Sequence, residues 1–242
     1  MKLSDLTLAI VYVNLAHRED RRAETEYQLS QIGLKAMRQP GIKAAWVRDP
    51  WGFQNARRYA CSLAKRLAIR RGFQTGAEAV LLLEDDVVFH PDLHERLAGI
   101  DLPEDWGLFY LGCRHCLRPG LEGKNLLRCT KATDNHAVIV RRSHYWAVMR
   151  ALAGSRRGAP RGILYSDLQL ARQQDRIPSY AAFPNLAWQA LSWSNTSECP
   201  LRAYHPDGRQ GLFPEMMQEV EAAMEVAFPG SLVAYHPPSQ NT

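Results

Sequence analysis

One segment joins an apolar run to three consecutive acids. Residues 79–83 read Ala-Val-Leu-Leu-Leu, and Glu84, Asp85 and Asp86 follow directly, before a second apolar run at 87–89. The first run has the length of a buried strand. Adjacent carboxylates repel one another and lose hydration when buried, so a strand has no structural use for three of them. A divalent cation such as Mg²⁺ or Mn²⁺ relieves both costs, because it prefers oxygen ligands.

These three residues, the acidic triplet, also stand where open α/β sheets carry their sites, beyond the carboxyl end of a strand. The alternative is a solvated acidic turn, which is what charge clusters usually are. The apolar runs on both sides favour a site, because they place the acids at the rim of a core.

Strand-like and helix-like segments alternate through the first two-thirds of the chain. This alternation predicts an α/β fold with a mainly parallel central sheet flanked by helices. Residues 112–131 lack periodicity and contain glycine, proline and cysteine, which predicts a loop or flap over a site. The other expected segments are strands at 8–15, 34–37, 106–112, 137–140 and 180–183, and helices at 18–32, 55–71, 143–153, 166–176 and 214–228.

The length of 242 residues fits one large domain. We expect that domain over residues 1–229 and a loose polar tail over 230–242. The chain has neither an apolar run long enough to span a bilayer nor a signal peptide, so we expect a cytoplasmic protein. The net charge of +5 is carried by clustered Arg and Lys residues. Such clusters suit a nucleotide diphosphate, an anionic membrane surface or nucleic acid, so charge alone does not choose a partner.

The cysteines are odd in number and scattered, which does not describe a disulfide framework. The five are Cys61, Cys113, Cys116, Cys129 and Cys199. The segment Cys113-Arg114-His115-Cys116, with Cys129 and His136 downstream, could hold Zn²⁺, but the second Cys pair of a structural zinc site is missing. We therefore expect reduced thiols in a mobile loop and leave zinc as the alternative.

The first strand carries no phosphate-binding glycine motif. Residues 14–18 read Asn-Leu-Ala-His-Arg where a dinucleotide-binding fold has its Gly-rich turn, and no Walker A motif occurs. A nucleotide would then be held by a metal ion and positive side chains.

Four sequence segments, called stations here, follow one another along residues 8–200. The stations are 11–15 with Arg18, Asp20, Arg21 and Arg22; 83–87; 135–142; and Ser166, Asp167, Leu168, Pro184, Gln189 and 192–195. In this order they resemble glycosyltransferase family 25, the lipooligosaccharide-biosynthesis and collagen galactosyltransferase group. No station is specific by itself, and the likeness depends on their order and spacing. The chain departs from the family pattern in two places: residues 60–65 lack the family's His, and Asn195 stands where the family has Asp.

The resemblance implies a GT-A-type, Rossmann-like fold and sugar transfer from a nucleotide-sugar, expected to be a UDP-sugar, to an acceptor hydroxyl. A metal held by Asp86, with Glu84 or Asp85 assisting, would bridge the two phosphates. His136 is a candidate third metal ligand or acceptor contact, and the alternative is a hydrogen-bonded structural histidine. We expect the donor to contact these side chains: Asn14, Leu15, Arg18, Arg21, Glu84 and Asp85.

Transfer with inversion, which we expect, needs a base for the acceptor hydroxyl. Asp167 matches the family's Asp in the fourth station and is our candidate; the alternative is an acid that only interacts with a helix dipole. Four further polar residues are expected to line the site: Gln189, Ser192, Ser194 and Asn195.

Three interpretations of the function stay open from the sequence. The first is a metal-dependent glycosyltransferase acting on a saccharide such as lipooligosaccharide, in peripheral contact with an anionic membrane. The second keeps the chemistry but glycosylates a hydroxylated base in DNA, with the basic clusters on phosphates and the base flipped out. The third is a catalytically silent, sugar-binding relative. A metal-dependent phosphatase or nuclease is weaker, because a second carboxylate-and-histidine ligand set is lacking.

Overall fold

The chain folds into a mixed sheet with helices on both faces. The computed structural model describes residues 1–50, 52–154, 165–190, 193–194, 199–200 and 214–230. Its helices are α1 (Glu19–Gln31), α2 (Ala56–Gln74), α3 (Leu93–Ala98), α4 (Tyr145–Ala153), α5 (Ser166–Ala171) and α6 (Pro214–Ala227). Its strands are β1 (Leu8–Asn14), β2 (Met37–Pro40), β3 (Ala79–Glu84), β4 (Val87–Phe89), β5 (Leu108–Leu117), β6 (Gly120–Gly123), β7 (Leu126–Arg128), β8 (Lys131–Arg141), β9 (Ser179–Ala182), β10 (Ala187–Gln189), β11 (Trp193–Ser194) and β12 (Cys199–Pro200).

The central sheet has eight strands in the order β2-β1-β3-β8-β5-β9-β7-β6. β1 pairs in parallel with both β2 and β3, and β5 pairs in parallel with β9. β8 runs antiparallel to β3 and β5, and β7 runs antiparallel to β6 and β9, so the remaining six strands share one direction. The predicted α/β fold with a mainly parallel sheet is confirmed. The carboxyl ends of β1 and β3 therefore meet at one edge.

Successive residues of β3 face two different cores, as the period of a strand requires. Val80 and Leu82 pack in a cluster with Ile69 of α2 and Leu152 of α4. The residues next to them, Leu81 and Leu83, pack in a second cluster that contains Leu29 of α1 and Leu93 of α3. Full burial of each such side chain contributes roughly 2 kcal/mol. The run at 79–83 is continuous in apolar residues because both faces of the strand are covered.

The C-terminal helix α6 packs on the outer strands. Met217, Val220 and Met224 form a small cluster with Leu127 of β7 and Phe183. This is the apolar stripe of the amphipathic helix that the sequence predicts at 214–228. None of the helices in the described part of the chain is long and apolar enough to cross a membrane.

Three predictions of local structure need comment. The loop predicted at 112–131 is wrong, because β5 continues to Leu117 and the β6–β7 hairpin follows. The second strand lies at Met37–Pro40, later than predicted. The predicted tail lies outside the described residues from position 231 onward. The loop prediction failed for a physical reason, since register shifts in β5 interrupt the alternation that marks a strand.

Gly112 is a position where β10 approaches the backbone of β5 closely. A Cβ at Gly112 would lie 1.8 Å from the carbonyl oxygen of Ala187 and 2.9 Å from Nε2 of His136. The nearest obstacle is backbone, so it cannot rotate away. We expect Gly112→Ala to lower the free energy of unfolding by about 3 kcal/mol, measured by urea denaturation.

Gly120→Ala is the matched control for this prediction. A Cβ there would meet only the Cβ of Arg128, at 3.8 Å, which is ordinary contact. Equal unfolding free energies for the two variants would contradict the close approach of β10 to β5.

Candidate functional site

The ends of β1 and β3 bring Asn14 against the acidic triplet. Val13 pairs with Glu84 in the parallel register, so the next residues of both strands emerge side by side. Nδ2 of Asn14 donates to Oδ2 of Asp85 at 2.8 Å. Nη1 of Arg21, on the first helical turn after β1, donates to Oδ1 of the same carboxylate at 2.9 Å. Both oxygens of Asp85 therefore accept hydrogen bonds, one from the last residue of β1 and one from α1.

Glu84 forms an ion pair with the buried Lys65 of α2. Nζ of Lys65 donates to Oε1 of Glu84 and to Oδ1 of Asn135, and lies 3.2 Å from Oγ of Ser166. Burial alone would lower the pKa of Lys65, but the charge of Glu84, its hydrogen bond and the other nearby acidic groups together outweigh burial and raise the pKa above its usual range. Burial would raise the pKa of Glu84, and Lys65 lowers it instead. Both groups are charged, and each neutralises the other.

Asp86 is the least neutralised of the three acids. Its Oδ2 lies 3.3 Å from Nη1 of Arg21, and its Oδ1 lies at the long distance of 3.5 Å from Nε2 of Gln189. Burial and then the negative charge of Glu84 raise the pKa of Asp86 to about 7. Its backbone is fixed, because its carbonyl accepts the N–H of Ala190 at 2.7 Å.

The donor set fits a divalent cation at Asp86. Three carboxylates face two cations, Lys65 and Arg21, so one negative charge remains without a partner of its own. The three acids do not bring one oxygen each within 4.8 Å of one another, so they do not form a ready three-carboxylate metal site. Mg²⁺ and Mn²⁺ need only one or two protein carboxylates when a substrate phosphate supplies the other ligands. Asp86 is the residue placed to supply one.

A cavity of about 860 Å³ opens over the triplet. Acids form part of its wall, and basic residues form another part: Arg21, Lys43, Arg57, Arg58 and Arg114. The Arg58 guanidinium lies 3.4 Å from the centre of the Tyr165 ring, which holds it across the cavity wall. A space of this size, lined by both acids and cations, suits an extended anionic ligand that carries a metal ion.

Asp167 lines the same cavity from the start of α5. Its Oδ1 accepts the backbone N–H of Leu168 at 2.9 Å, so its carboxylate is fixed by its own helix. Burial and then the charge of Asp134 raise the pKa of Asp167 above its ordinary value. A carboxylate with a raised pKa that faces a cavity has the character of a general base.

The remaining predicted residues fall into three groups. Leu15 and Gln189 line the cavity with the triplet. Arg18 pairs with Asp20 at 2.7 Å and does not line the cavity, and its backbone carbonyl accepts a hydrogen bond from Nδ2 of Asn14 at 2.9 Å. Ser192 and Asn195 lie outside the described residues, and of Ser194 only the backbone is described, in β11.

His136 does not reach the cavity. It is completely buried, and its Nε2 lies 3.1 Å from the carbonyl oxygen of Ala187. Burial lowers its pKa. Since it does not line the cavity, we leave His136 out of the proposed metal-ligand set.

Sequence reasoning missed Lys65, which pairs with Glu84, and Asn135, which accepts a hydrogen bond from Lys65. Lys65 stands among several basic residues of α2, yet it is 2% exposed. A signal existed: Cys61, Ala64, Lys65 and Ala68 follow helical spacing, so Lys65 continues the buried stripe of α2. Asn135 had no such signal, because the left-handed backbone at Asp134 (φ 62°) changes the alternation of β8 just before it.

Comparisons with known proteins give structural similarities only. No family model matches, and no curated protein matches. A glycosyltransferase involved in glycosylation of the major capsid of PBCV-1 is similar with a TM-score of 0.44 and 14% identity, over 74% of this chain and 82% of that one. A197 from STIV has a TM-score of 0.46 and 10% identity, over 82% and 95%.

A third similar structure is a mutant of Drosophila β1,4-galactosyltransferase 7 in complex with manganese, UDP-Gal and xylobiose. Its TM-score is 0.42 at 10% identity, over 82% of this chain and 77% of that one. At these scores and identities the function proposed below depends on the residues of this chain.

Proposed function

We propose that this protein is a metal-dependent glycosyltransferase of GT-A type, related to family 25. It would move a sugar from a nucleotide-sugar, a UDP-sugar in our proposal, to the hydroxyl of a saccharide acceptor. The observation that supports this most is the incompletely neutralised Asp86 in a cavity that also holds basic residues and Asp167. The ordered likeness of the four sequence stations to family 25 supports the choice of reaction.

The donor half of the proposal concerns the leaving diphosphate. A divalent ion at Asp86 would neutralise the charge that develops on the diphosphate as the sugar–oxygen bond breaks. Asp85 orients Arg21 for the same region, since Nη1 of Arg21 lies between the two aspartates at 2.9 and 3.3 Å. Lys65 neutralises Glu84, so Glu84 would help to shape the site without adding net negative charge to it. Arg57 and Arg58 also line the cavity wall, and guanidinium groups there can donate hydrogen bonds to phosphate oxygens.

The acceptor half concerns one proton and one new bond. The acceptor hydroxyl oxygen attacks the anomeric carbon of the donor sugar, and the bond from that carbon to the diphosphate breaks with its electron pair on the leaving oxygen. The hydroxyl proton passes to the carboxylate of Asp167, whose raised pKa suits it to hold a proton. Attack from the face opposite the leaving group inverts the anomeric carbon.

The decisive experiment screens UDP-sugars for turnover by the purified protein. We expect release of UDP from at least one UDP-sugar with Mn²⁺, a rise in rate with saccharide acceptors, and loss of at least 100-fold with EDTA, roughly the scale of a lost metal-ion contribution. Mn²⁺ added in excess of EDTA should restore the rate. If no nucleotide-sugar is turned over or bound with any divalent ion, the proposal fails in favour of the silent relative.

A further inference from the structure

Two cysteines and one histidine that could bind a metal ion lie close together, away from the site of the proposed function. Cys113 and His115 lie two residues apart on β5, and Cys129 follows β7. One potential ligand atom from each lies within 4.8 Å of the other two. All three are buried, at 0%, 2% and 4% exposure, and none of them lines the cavity over the acidic triplet.

The spacing of these donors matches a metal coordination shell. Sγ of Cys113 lies 3.5 Å from Nε2 of His115. Zinc bound to sulfur at ~2.3 Å and to nitrogen at ~2.0–2.1 Å, with tetrahedral angles, sets its S and N ligands about 3.5 Å apart. The chain therefore already holds two donors at the separation that a shared ion requires.

The environment of His115 also points to a ligand. Nδ1 of His115 is buried and has no hydrogen-bond partner among the described residues, while Nε2 faces a sulfur, a weak partner. Burial of an imidazole with so few hydrogen bonds costs solvation that the weak sulfur contact does not return. A metal ion bound through Nε2, the nitrogen that faces Sγ of Cys113, would return part of this cost.

We propose that Cys113, His115 and Cys129 bind a thiophilic d10 metal ion, Zn²⁺ or Cu(I), through two sulfurs and one nitrogen. Thiolate and imidazole are the ligands that these ions prefer, and three protein ligands are enough when a small exchangeable ligand takes a fourth position. The hard cation proposed at Asp86 prefers oxygen, so the two sites select different metals.

The ion would join β5 to the connection between β7 and β8, and both β5 and β8 contribute residues to the cavity wall. β5 and β8 pair near this point, with His115 opposite Ala132, and the N–H of Cys129 is held by the carbonyl of Ser179 at 2.8 Å. Arg114, the residue between the two β5 ligands, lines the cavity and forms an ion pair with Asp134 at 3.2 Å. A metal ion bound by Cys113, His115 and Cys129 would therefore fix the segment of β5 that places Arg114 at the cavity wall.

Metal analysis of the full-length wild-type protein tests the proposal. After purification without chelator, we expect one Zn or Cu per chain by mass spectrometry, and X-ray absorption showing two sulfurs and one nitrogen around it. Loading metal-free protein with Co²⁺ should give the sulfur-to-cobalt charge-transfer band of thiolate ligands. These measurements need no variant, so a folding failure cannot obscure them. Their absence, or a Cys113–Cys129 disulfide in place of metal, would overturn the proposal.

Variants locate the ion and separate it from the acidic triplet. The double variant Cys113→Ser, Cys129→Ser and the single variant His115→Asn should each weaken Zn²⁺ binding by about 100-fold or more, measured by chelator competition. Cys116→Ser is the matched control, because Sγ of Cys116 contacts the hydroxyl of Thr133 at 3.6 Å instead. Asp86→Ala should keep the thiol-bound metal. Retention of metal by the double variant, or its loss in Asp86→Ala, would contradict the assignment.

Discussion

The variant Asp86→Ala is expected to lose Mn²⁺-dependent sugar transfer and metal-dependent UDP binding while it stays folded. Asp86 is the carboxylate left for a cation after Lys65 and Arg21 have neutralised the other two acids. Loss of several kcal/mol of transition-state charge stabilisation corresponds to a fall in rate of about 10³-fold or more. Initial rates of UDP release across a Mn²⁺ titration, together with calorimetric binding of UDP, measure both effects.

The substitution Asp86→Ala should not destabilise the folded protein. A carboxyl whose pKa is raised by folding to about 7 binds its proton more tightly in the folded protein than in the unfolded chain. Above that pH the ionised group therefore lowers stability, and removing it should leave the free energy of unfolding equal or higher. Asp101→Ala is the control, since this acid is 69% exposed and pairs with Lys2 outside the cavity. A folded Asp86→Ala protein with full activity would disprove the metal assignment.

The acidic triplet could be found from the sequence because buried strands do not normally end in three adjacent carboxylates. A run buried on both faces ended in charges that a strand cannot use, and the structure places them at the edge where β1 and β3 end. The roles within the triplet could not be found in this way. They depend on Lys65, which is 19 residues from Glu84, and on Arg21, which is 64 residues from Asp85. Such pairings are set by the packing of α2 and α1 on the sheet.

Residues 112–131 show where pattern reasoning fails. A strand is recognised from strict alternation, and β5 has register shifts between Tyr110 and Gly112, between Gly112 and Arg114, and between His115 and Leu117. Each irregularity redirects the side chains that follow it. The same irregular stretch places Arg114 at the cavity and leaves Cys113 and His115 together in the core. The register shifts that make β5 hard to predict from the sequence also place its functional residues.

The variant Asp167→Asn is expected to bind UDP and Mn²⁺ like the wild type and to lose turnover. Asn has the shape of Asp but cannot take a proton, so the step it removes is acceptor deprotonation. A positioned general base contributes about 10²- to 10⁴-fold, and we expect kcat to fall by that factor. UDP affinity should change by no more than about twofold, because the diphosphate site depends on Asp86 and Arg21. Single-turnover rates and calorimetry separate the two quantities.

Stability provides an independent check on the same variant. Burial and Asp134 raise the pKa of Asp167 in the folded protein, so its ionised form lowers stability at pH values above that pKa. A neutral Asn should therefore keep or raise the free energy of unfolding at neutral pH. Asp175→Asn is the matched control: this acid follows α5, is 70% exposed and should leave both activity and stability unchanged. Unchanged turnover in folded Asp167→Asn would move the base to another residue, and a parallel loss of UDP binding would reassign Asp167 to the donor.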